Sequence, residues 1–411
     1  MSKIHITLVG GQTMPVFSGI INDDPDKIIL ICSNDSKKEA SRIENAVKSK
    51  NNKWKKKIWE KILFDPYDIN KIFKKIKESF GLKDQNGNYL KDEFGGYLYF
   101  NDKDEITLNL TSGTKPWSIL FDGQMTVNNN VKSIYIDQQN RIWNIKEGTF
   151  QSITHRVTME DMFLLNGIKI QEKTDFEEYD KSDIEALKEI RSIREINHDA
   201  FNEVTTDIYK IIKDRRTSEN QKQIIQLKSN AYEMTWDKLQ NKFYGYIKNK
   251  KESNIKRFNI TSKHIRSLML NTGWFEFEVA KLINEWDIEK KIYLNCILKR
   301  SESGNSNPLN EIDIIVQTKD KFLFIECKTQ VAQPTDVDKF NNAVKQYSGL
   351  QAHRIFFTDD RMKQTAVEKC ESAGIFRFTM ESLKTNGIID EKKKEIFFEK
   401  LNNIIKSANT K

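Results

Sequence analysis

The sequence predicts an α/β protein with two α/β regions joined by a helical middle, and three observations predict it. Over residues 1–150 strand-like runs alternate with helical patterns. Residues 151–260 contain a long charged stretch of helical spacing without proline or glycine, "SDIEALKEIRSIREINHDAFNEVTTDIYKIIKDRR". From residue 261 onward the order becomes helix, three strands, helix, strand, helix, strand. The expected domains are therefore 1–150, a helical connector at 151–260, and 261–411.

In the first region "KIHITLV" and "KIILICS" read as strands, and "DSKKEASRIENAVKSK" follows as an amphipathic helix. "DPYDINKIFKKIKESF" and "PWSILFDGQMTV" are helical, while "EITLNL", "KSIYIDQ" and "RIWNI" are strand-like. Such alternation implies a largely parallel, Rossmann-like sheet, whose ligands sit beyond the carboxyl ends of its strands. In the last region "WFEFEVAKLINEW" precedes the strands "KKIYLNCIL", "EIDIIVQ" and "KFLFIECKT". A helix ("DVDKFNNAVKQYSGL"), a strand ("HRIFFTD"), a helix ("KQTAVEKCESAG") and a strand ("IFRFT") complete the order.

The chain has 411 residues, 38% hydrophobic and 31% charged, which suits a globular protein of two or three domains. No apolar run reaches the ~20 residues of a membrane-spanning helix, and the first residues lack the apolar centre of a signal peptide. The four cysteines, Cys32, Cys296, Cys327 and Cys370, lie far apart without a CxxC pair. Neither a disulfide framework nor a zinc site is indicated, and a reducing cytoplasm is the simplest setting. A net charge of +8 favours polyanionic partners without demanding one. Two basic runs, Lys48–Lys61 and Lys248–Arg257, are most simply solvated lysine faces. His5, His155, His198, His264 and His353 are scattered singles and read as structural.

The segment "NEIDIIVQTKDKFLFIECKTQ" places ionisable groups inside an apolar hairpin. A turn centred between Lys319 and Asp320 sets Asp313 opposite Glu326, Glu311 opposite Lys328 and Ile315 opposite Phe324. The other face then carries Ile312, Ile314 and Val316 against Cys327, Ile325 and Leu323, wholly apolar as a core requires. Opposed carboxylates with Cβ atoms ~5 Å apart repel strongly, and a divalent cation such as magnesium or manganese relieves that repulsion. An ordinary Glu311–Lys328 pair, with Asp313 as a solubility device at a strand edge, would explain the hairpin alone as well. In the preceding helix Glu276 flanks the apolar stripe of Phe275, Val279, Leu282, Ile283 and Trp286, whereas Glu278 reads as solvent-facing. Glu276 is thus the carboxylate expected to meet the charged end of the hairpin.

These residues resemble the PD-(D/E)xK nuclease superfamily: a helical Glu276, then Asp313, then "ECK" with Glu326 and Lys328. Ile312 stands where the name has proline. The resemblance implies a restriction-endonuclease-like αβββαβ domain and metal-assisted phosphodiester hydrolysis. It also implies that Asp313, Glu326 and the Cys327 carbonyl hold Mg²⁺ or Mn²⁺. Glu276 would complete the metal or water shell, and Lys328 would orient the attacking water. Lys345, Gln346 and Tyr347 could touch the substrate backbone, although a solvated helix face is the simpler account.

"LNLTSGTKPWSIL" is a strand, a small polar loop and a helix. Gly113 permits close backbone approach and Pro116 suits a first helical turn. Free amides there make an anion site, to which Lys115 adds charge and Thr111, Ser112 and Thr114 add hydroxyls. It is not a Walker loop. With "LVGGQTMPVFSG" at the end of the first strand, the loop resembles the "TGGTK" signature of CARF domains, Ser112 replacing the first glycine. That resemblance implies binding of a cyclic oligoadenylate across a homodimer two-fold, with Gln12 and Thr13, and also Ser33 and Asn34, lining the pocket. A CARF domain joined to a PD-(D/E)xK domain is the arrangement of CRISPR ancillary nucleases activated by cyclic tetra-adenylate. Two other readings stand beside it: a stand-alone restriction-like endonuclease, and a non-enzymatic nucleotide-sensing regulator that grips DNA.

Overall fold

The computed structural model describes residues 1–411 except 66, 92–94, 96, 102, 214–222, 251–253, 271, 301–309, 320, 348–351 and 408–411. The chain falls into two compact units, Met1–Ile170 and most of the chain from Gln171 onward.

The first unit runs β1 (Lys3–Leu8), α1 (Thr13–Asp23), β2 (Lys27–Cys32), α2 (Lys37–Lys50), a short α3 (Asn52–Lys55) and β3 (Ile58–Leu63). It continues with α4 (Ile69–Phe80), β4 (Glu105–Asn109), α5 (Lys115–Met125), β5 (Val131–Ile136), β6 (Arg141–Asn144), β7 (Thr149–Ser152) and α6 (Met159–Leu165). The sheet order is β3-β2-β1-β4-β5-β6-β7, parallel from β3 to β5 and antiparallel at β6 and β7. Helices cover both faces, which is why β1 and β2 read as near-continuous apolar runs. Ile6, Leu8, Ile31 and Leu108 pack with Ile76, Trp117 and Phe121. Because the strand order reverses at β1, the carboxyl ends of β1 and β4 open side by side.

The basic run Lys48–Lys61 resolves into structure. It spans the end of α2, α3 and the start of β3, with Trp54 buried. Lys61 pairs with Glu44 at 2.6 Å, Lys50 pairs with Asp161, and Lys53 pairs with Asp24. The strand β3, at the edge of the sheet, buries none of its residues, so it carries no apolar pattern that would set it apart from the basic run.

The second unit begins with β8 (Ile168–Asp175), α7 (Lys181–Ile196) and α8 (His198–Lys213). Four strands follow: β9 (Ile224–Lys228), β10 (Tyr232–Asp237), β11 (Lys242–Lys248) and β12 (Ile255–Thr261). Then come α9 (Ile265–Met269), α10 (Gly273–Asn284), β13 (Lys290–Arg300), β14 (Asn310–Thr318), β15 (Phe322–Lys328) and α11 (Pro334–Tyr347). There follow β16 (Ala352–Thr358), α12 (Gln364–Ala373), β17 (Phe376–Thr379), the small pair β18 (Lys384–Thr385) and β19 (Ile388–Ile389), and α13 (Glu391–Lys406). From α10 to β17 the order is the expected αβββαβαβ. The sheet is β17-β16-β15-β14-β13-β8, with β13, β14 and β15 antiparallel and β15, β16 and β17 parallel.

The helical connector expected over 151–260 needs correction. Helices account for α7 and α8, but β9 to β12 form an antiparallel sheet of order β12-β11-β10-β9. Its signal is a period of two: Tyr232, Met234 and Trp236, then Phe243 and Ile247, then Phe258 and Ile260, are all buried. Polar residues between them gave the segment its charged, helix-like appearance. Each large apolar side chain so buried contributes ~1.5–3 kcal/mol. These side chains share one continuous core with α7, α8, α10 and the C-terminal sheet, so the connector has no core of its own. Residues 251–253 of the second basic run lie outside the described residues.

Candidate functional site

Two constellations were expected, one in each unit. In the first, the loop after β4 is held by its own polar groups. The Thr111 hydroxyl donates to Asn109 Oδ1 (2.6 Å) and accepts from the Ile136 N–H (2.8 Å), so it serves the scaffold. Ser112 is buried, and its Oγ accepts from the Gly10 N–H across the gap to β1 (2.9 Å). This bond ties the two loops at the switch point. Gly113 adopts φ +84°, and a Cβ there would lie 3.0 Å from Leu8 Cβ, so only glycine suits the position. At Gly10 a Cβ would meet the Gly113 nitrogen at 2.9 Å.

Thr114, Lys115 and Gln12 are exposed on this rim, and Thr13 is buried at the start of α1. Thr114 precedes α5 without capping it through its side chain, and Pro116 occupies the first turn. The first-turn amides of α5 and the Lys115 ammonium thus make a positive end suited to a phosphate. Ser33 and Ser36 bond reciprocally, the Ser33 N–H donating to Ser36 Oγ (2.9 Å) and the Ser36 N–H to Ser33 Oγ (3.2 Å). Asn34 is exposed beside them.

In the second unit the hairpin takes the expected register. Ile314 pairs with Ile325, Ile315 with Phe324 and Val316 with Leu323, although Asp320 of the expected turn lies outside the described residues. Next to the end of this ladder, Asp313 Oδ2 accepts from the Cys327 N–H (2.7 Å). On the other side of β14 the ladder to β13 skips Asn295, which adopts φ +51° between the Leu294–Ile314 and Cys296–Ile312 pairs. The β13–β14 pairing is thus interrupted opposite Asp313, although its register is the same on both sides of the gap.

Lys328 pairs with Glu326 on its own strand at 2.6 Å, rather than with Glu311 opposite as a plain cross-strand pair would require. Glu276 is buried, 5% exposed, and accepts a long bond from the Thr272 hydroxyl (3.4 Å). Burial first, and then Asp313, Glu311 and Glu326, push its carboxyl well above the usual carboxylate range. Asp313 is pushed up likewise, by burial and then by Glu326. Glu311 shifts the same way through burial and Glu326, but its exposed side chain makes this the weakest of the three. Burial alone would lower the Lys328 ammonium; Glu326 and Asp313 outweigh it and hold the proton more tightly than usual. Four carboxyl groups therefore lie within electrostatic reach of one ammonium, and burial with their mutual repulsion favours the protonated forms of Glu276 and Asp313.

That donor set fits a hard divalent cation by its chemistry. Among the described residues, however, no three His, Cys, Asp or Glu side chains are drawn together closely enough to hold an ion. The Cys327 thiol is buried, and its acidity is suppressed by burial and by Asp313.

Glu278 departs from expectation. It is half-buried and ion-paired with Arg191, so it serves structure rather than facing solvent. Arg191 and Arg194 both reach Asp359 (3.0 and 2.9 Å) and lie over Trp274 (4.4 and 4.9 Å). The Asp359 N–H donates to the Lys328 carbonyl (2.9 Å), so this clamp fixes the end of β15 that carries Lys328. Tyr179 was also missed; it stacks on Phe277 (4.4 Å), and burial with nearby Glu276 raises its hydroxyl to about 12. Both were illegible because Tyr179, Arg191 and Arg194 lie far from the hairpin in sequence. Lys345 is exposed on α11, and the side chains of Gln346 and Tyr347 lie outside the described residues. His264 is bonded to buried Asp183 (3.0 Å), in keeping with a structural histidine.

With both geometries in view, residues 4–162 match the family described as the Card1 CARF domain. The N-terminal unit is a CARF domain. Its paired loops after β1 and β4 are the ones singled out from sequence. Over nearly its whole length the chain is also similar in fold to Can2 from Sulfobacillus thermosulfidooxidans, solved in complex with cyclic tetra-adenylate. That match has a TM-score of 0.60 and 17% identity, covering 98% of this chain and 100% of that one. Protein VC1899 from Vibrio cholerae matches with a TM-score of 0.64 and 12% identity, covering 97% and 98%. A type III CRISPR defence DNA nuclease activated by cyclic oligoadenylate matches with a TM-score of 0.54 and 12% identity. In that case 98% of this chain covers 52% of the other. At such identities the likeness is one of fold. No curated protein matches the chain in sequence. Among the described residues no helix is long and apolar enough to cross a membrane.

Proposed function

We propose that the chain is a ligand-gated nuclease of type III CRISPR antiviral defence. Its CARF domain would bind a cyclic oligoadenylate, cyclic tetra-adenylate foremost, and its second unit would hydrolyse phosphodiesters of DNA or RNA. The observation that carries this reading is the charge-deficient cluster of Glu276, Asp313 and Glu326 around Lys328, on a chain that also contains a CARF domain.

In this reading Asp313, Glu326 and the Cys327 carbonyl would hold Mg²⁺ or Mn²⁺, with Glu276 beside them. The ion would act as Lewis acid toward the phosphate and make a bound water more acidic. Lys328, kept protonated by Glu326, orients the attacking water and offsets charge gathering on the phosphoryl oxygens. The Cys327 N–H fixes the Asp313 carboxylate, and the Asp359 clamp fixes the Lys328 backbone. At the CARF site, Lys115 and the first-turn amides of α5 receive phosphates of the ring, with Gln12, Thr13 and Thr114 around it. A ring of two-fold symmetry suits an isologous homodimer, which is the assembly proposed. To act as a switch, the ring must bind the active arrangement better than the inactive one.

The test is cleavage of RNA, single-stranded DNA and plasmid with Mn²⁺, with and without cyclic tetra-adenylate, alongside Glu326→Gln and Lys115→Ala. Cleavage only with the ring is expected, lost in Glu326→Gln at any ring concentration and in Lys115→Ala at a ring concentration just sufficient for the parent. Cleavage without the ring would leave an ordinary endonuclease. A Glu326→Gln variant that still acts in cells would point to a non-enzymatic regulator.

A further inference from the structure

The sheet β9–β12 was not foreseen from sequence, and the proposed function makes no use of it. One face packs on the core through Trp236, Phe243, Ile247, Phe258 and Ile260. The other face is open along Gln226, Tyr244, Lys248, Arg257 and Asn259, with Thr235 buried between them, and the pairings sort it into rows across four strands. The central row is Gln226, Thr235, Tyr244 and Asn259: an aromatic ring flanked by amides and a hydroxyl. On one side lies the row Lys228, Glu233, Tyr246 and Arg257; on the other Ile224, Asp237, Lys242 and Thr261. Lys248, paired with Ile255, extends the face beyond Tyr246.

Charge on this face is biased. Of its two acids, Glu233 is paired with Lys228 (3.1 Å), and Asp237 accepts from the N–H groups of Leu239 and Gln240 (3.0 Å each). Lys242, Lys248 and Arg257 leave cations in excess. Lys242 lies over the Tyr244 ring at 5.5 Å, and Tyr244 is 39% exposed. Tyr244 and Tyr246 share one face of one strand, so the rings stand ~7 Å apart, a span that an extended single strand can match base by base. Glu185 and Glu189 on α7 line the groove beyond Arg257 and make that edge unfavourable to a polyanion.

We propose that this face binds single-stranded nucleic acid. Unpaired bases stack on Tyr244 and Tyr246, while Lys242, Lys248 and Arg257 meet the phosphates. A duplex, whose bases are already stacked, gains little from the rings. That the bound strand is the substrate rests on the nuclease reading; the binding itself does not.

The test is fluorescence anisotropy of the full-length protein in EDTA with fluorescein-labelled 15-mers, as single-stranded DNA, single-stranded RNA and duplex DNA. Tyr244→Ala/Tyr246→Ala is expected to weaken single-strand binding by about tenfold per ring, and Tyr244→Phe/Tyr246→Phe to retain it. Lys242→Glu/Lys248→Glu should weaken binding and flatten its salt dependence. The double alanine variant binding as tightly as the parent, or the duplex depending on the rings as strongly as the single strand, overturns the proposal. The DNA and RNA arms show which strand is preferred. Binding that needs the rings in a protein that never cuts would sink the nuclease reading alone. Cutting with ring-independent binding would sink the platform alone.

Discussion

The two candidate sites solve opposite electrostatic problems by opposite means. In the CARF domain the groups offered to an anion are backbone amides and one exposed ammonium at a helix start, while the Thr111 and Ser112 hydroxyls are spent holding the loops. Ser112 binds Gly10, and Thr111 binds Asn109 and Ile136. Around Lys328 the side chains themselves make the candidate site: Glu276 is buried, and Asp313, Glu311 and Glu326 lie near enough to raise its carboxyl. A site for an anion can be built from dipoles that every chain possesses. A site for a cation must be built from charges that folding would otherwise exclude. The first therefore tolerates exposure, and the second requires a well-packed sheet to hold it.

The sharpest way to break this comparison is to neutralise one carboxylate. Glu326→Gln is expected to lower cleavage by about a thousand-fold, read by plasmid nicking, while leaving ring binding unchanged. Next in size is Lys115→Ala, which should weaken ring binding by roughly ten- to a hundred-fold in calorimetry without affecting cleavage by protein saturated with the ring. Gly113→Ala should act on the same site through the backbone, weakening ring binding further than its ~1–2 kcal/mol of strain alone predicts, because β1 is displaced.

Heat stability offers a quieter contrast. Asp313 and Glu276 have folded pKa values above their unfolded ones, so their protonated forms stabilise the fold at low pH. That stability is lost as pH rises through the folded values. The melting temperature of metal-free protein should thus fall on going from acidic to neutral pH, and Mn²⁺ should restore it. Asp313→Asn should flatten both responses, and Lys115→Ala should change neither. An unchanged melting temperature with Mn²⁺ would count against the cluster as a metal site.

The opposite pH response belongs to His353, buried next to Lys321 and Arg354. Burial first, then these cations, lower its pKa to about 4. A histidine with a depressed folded value contributes stability that is present above ~6.5 and lost as pH falls toward 4. His353→Gln should remove this contribution, which opposes that of Glu276 and Asp313 and amounts to at most about 3 kcal/mol between those limits. Differential scanning calorimetry at pH 7 and pH 5 would show it.

Much was legible in the sequence because period and spacing are local. The register of the "EIDIIVQ"–"KFLFIECKT" hairpin followed from one apolar face and one turn, and the order αβββαβαβ from flanking turn signals. The loop "TSGTK" announced a glycine permitting close backbone approach before a helix; its positive φ came from the structure. Tertiary structure alone decided which charges meet. Glu276 and Asp313 share a site because a helix crosses the sheet there, whereas Glu278, two residues along, turns to Arg191. The exposure of β3 and the charges of β9–β12 hid real strands, since an exposed face carries no apolar signature. What depends on neighbours within a few residues is written along the chain; burial, and with it the protonation of a carboxyl, belongs to residues brought together from far apart.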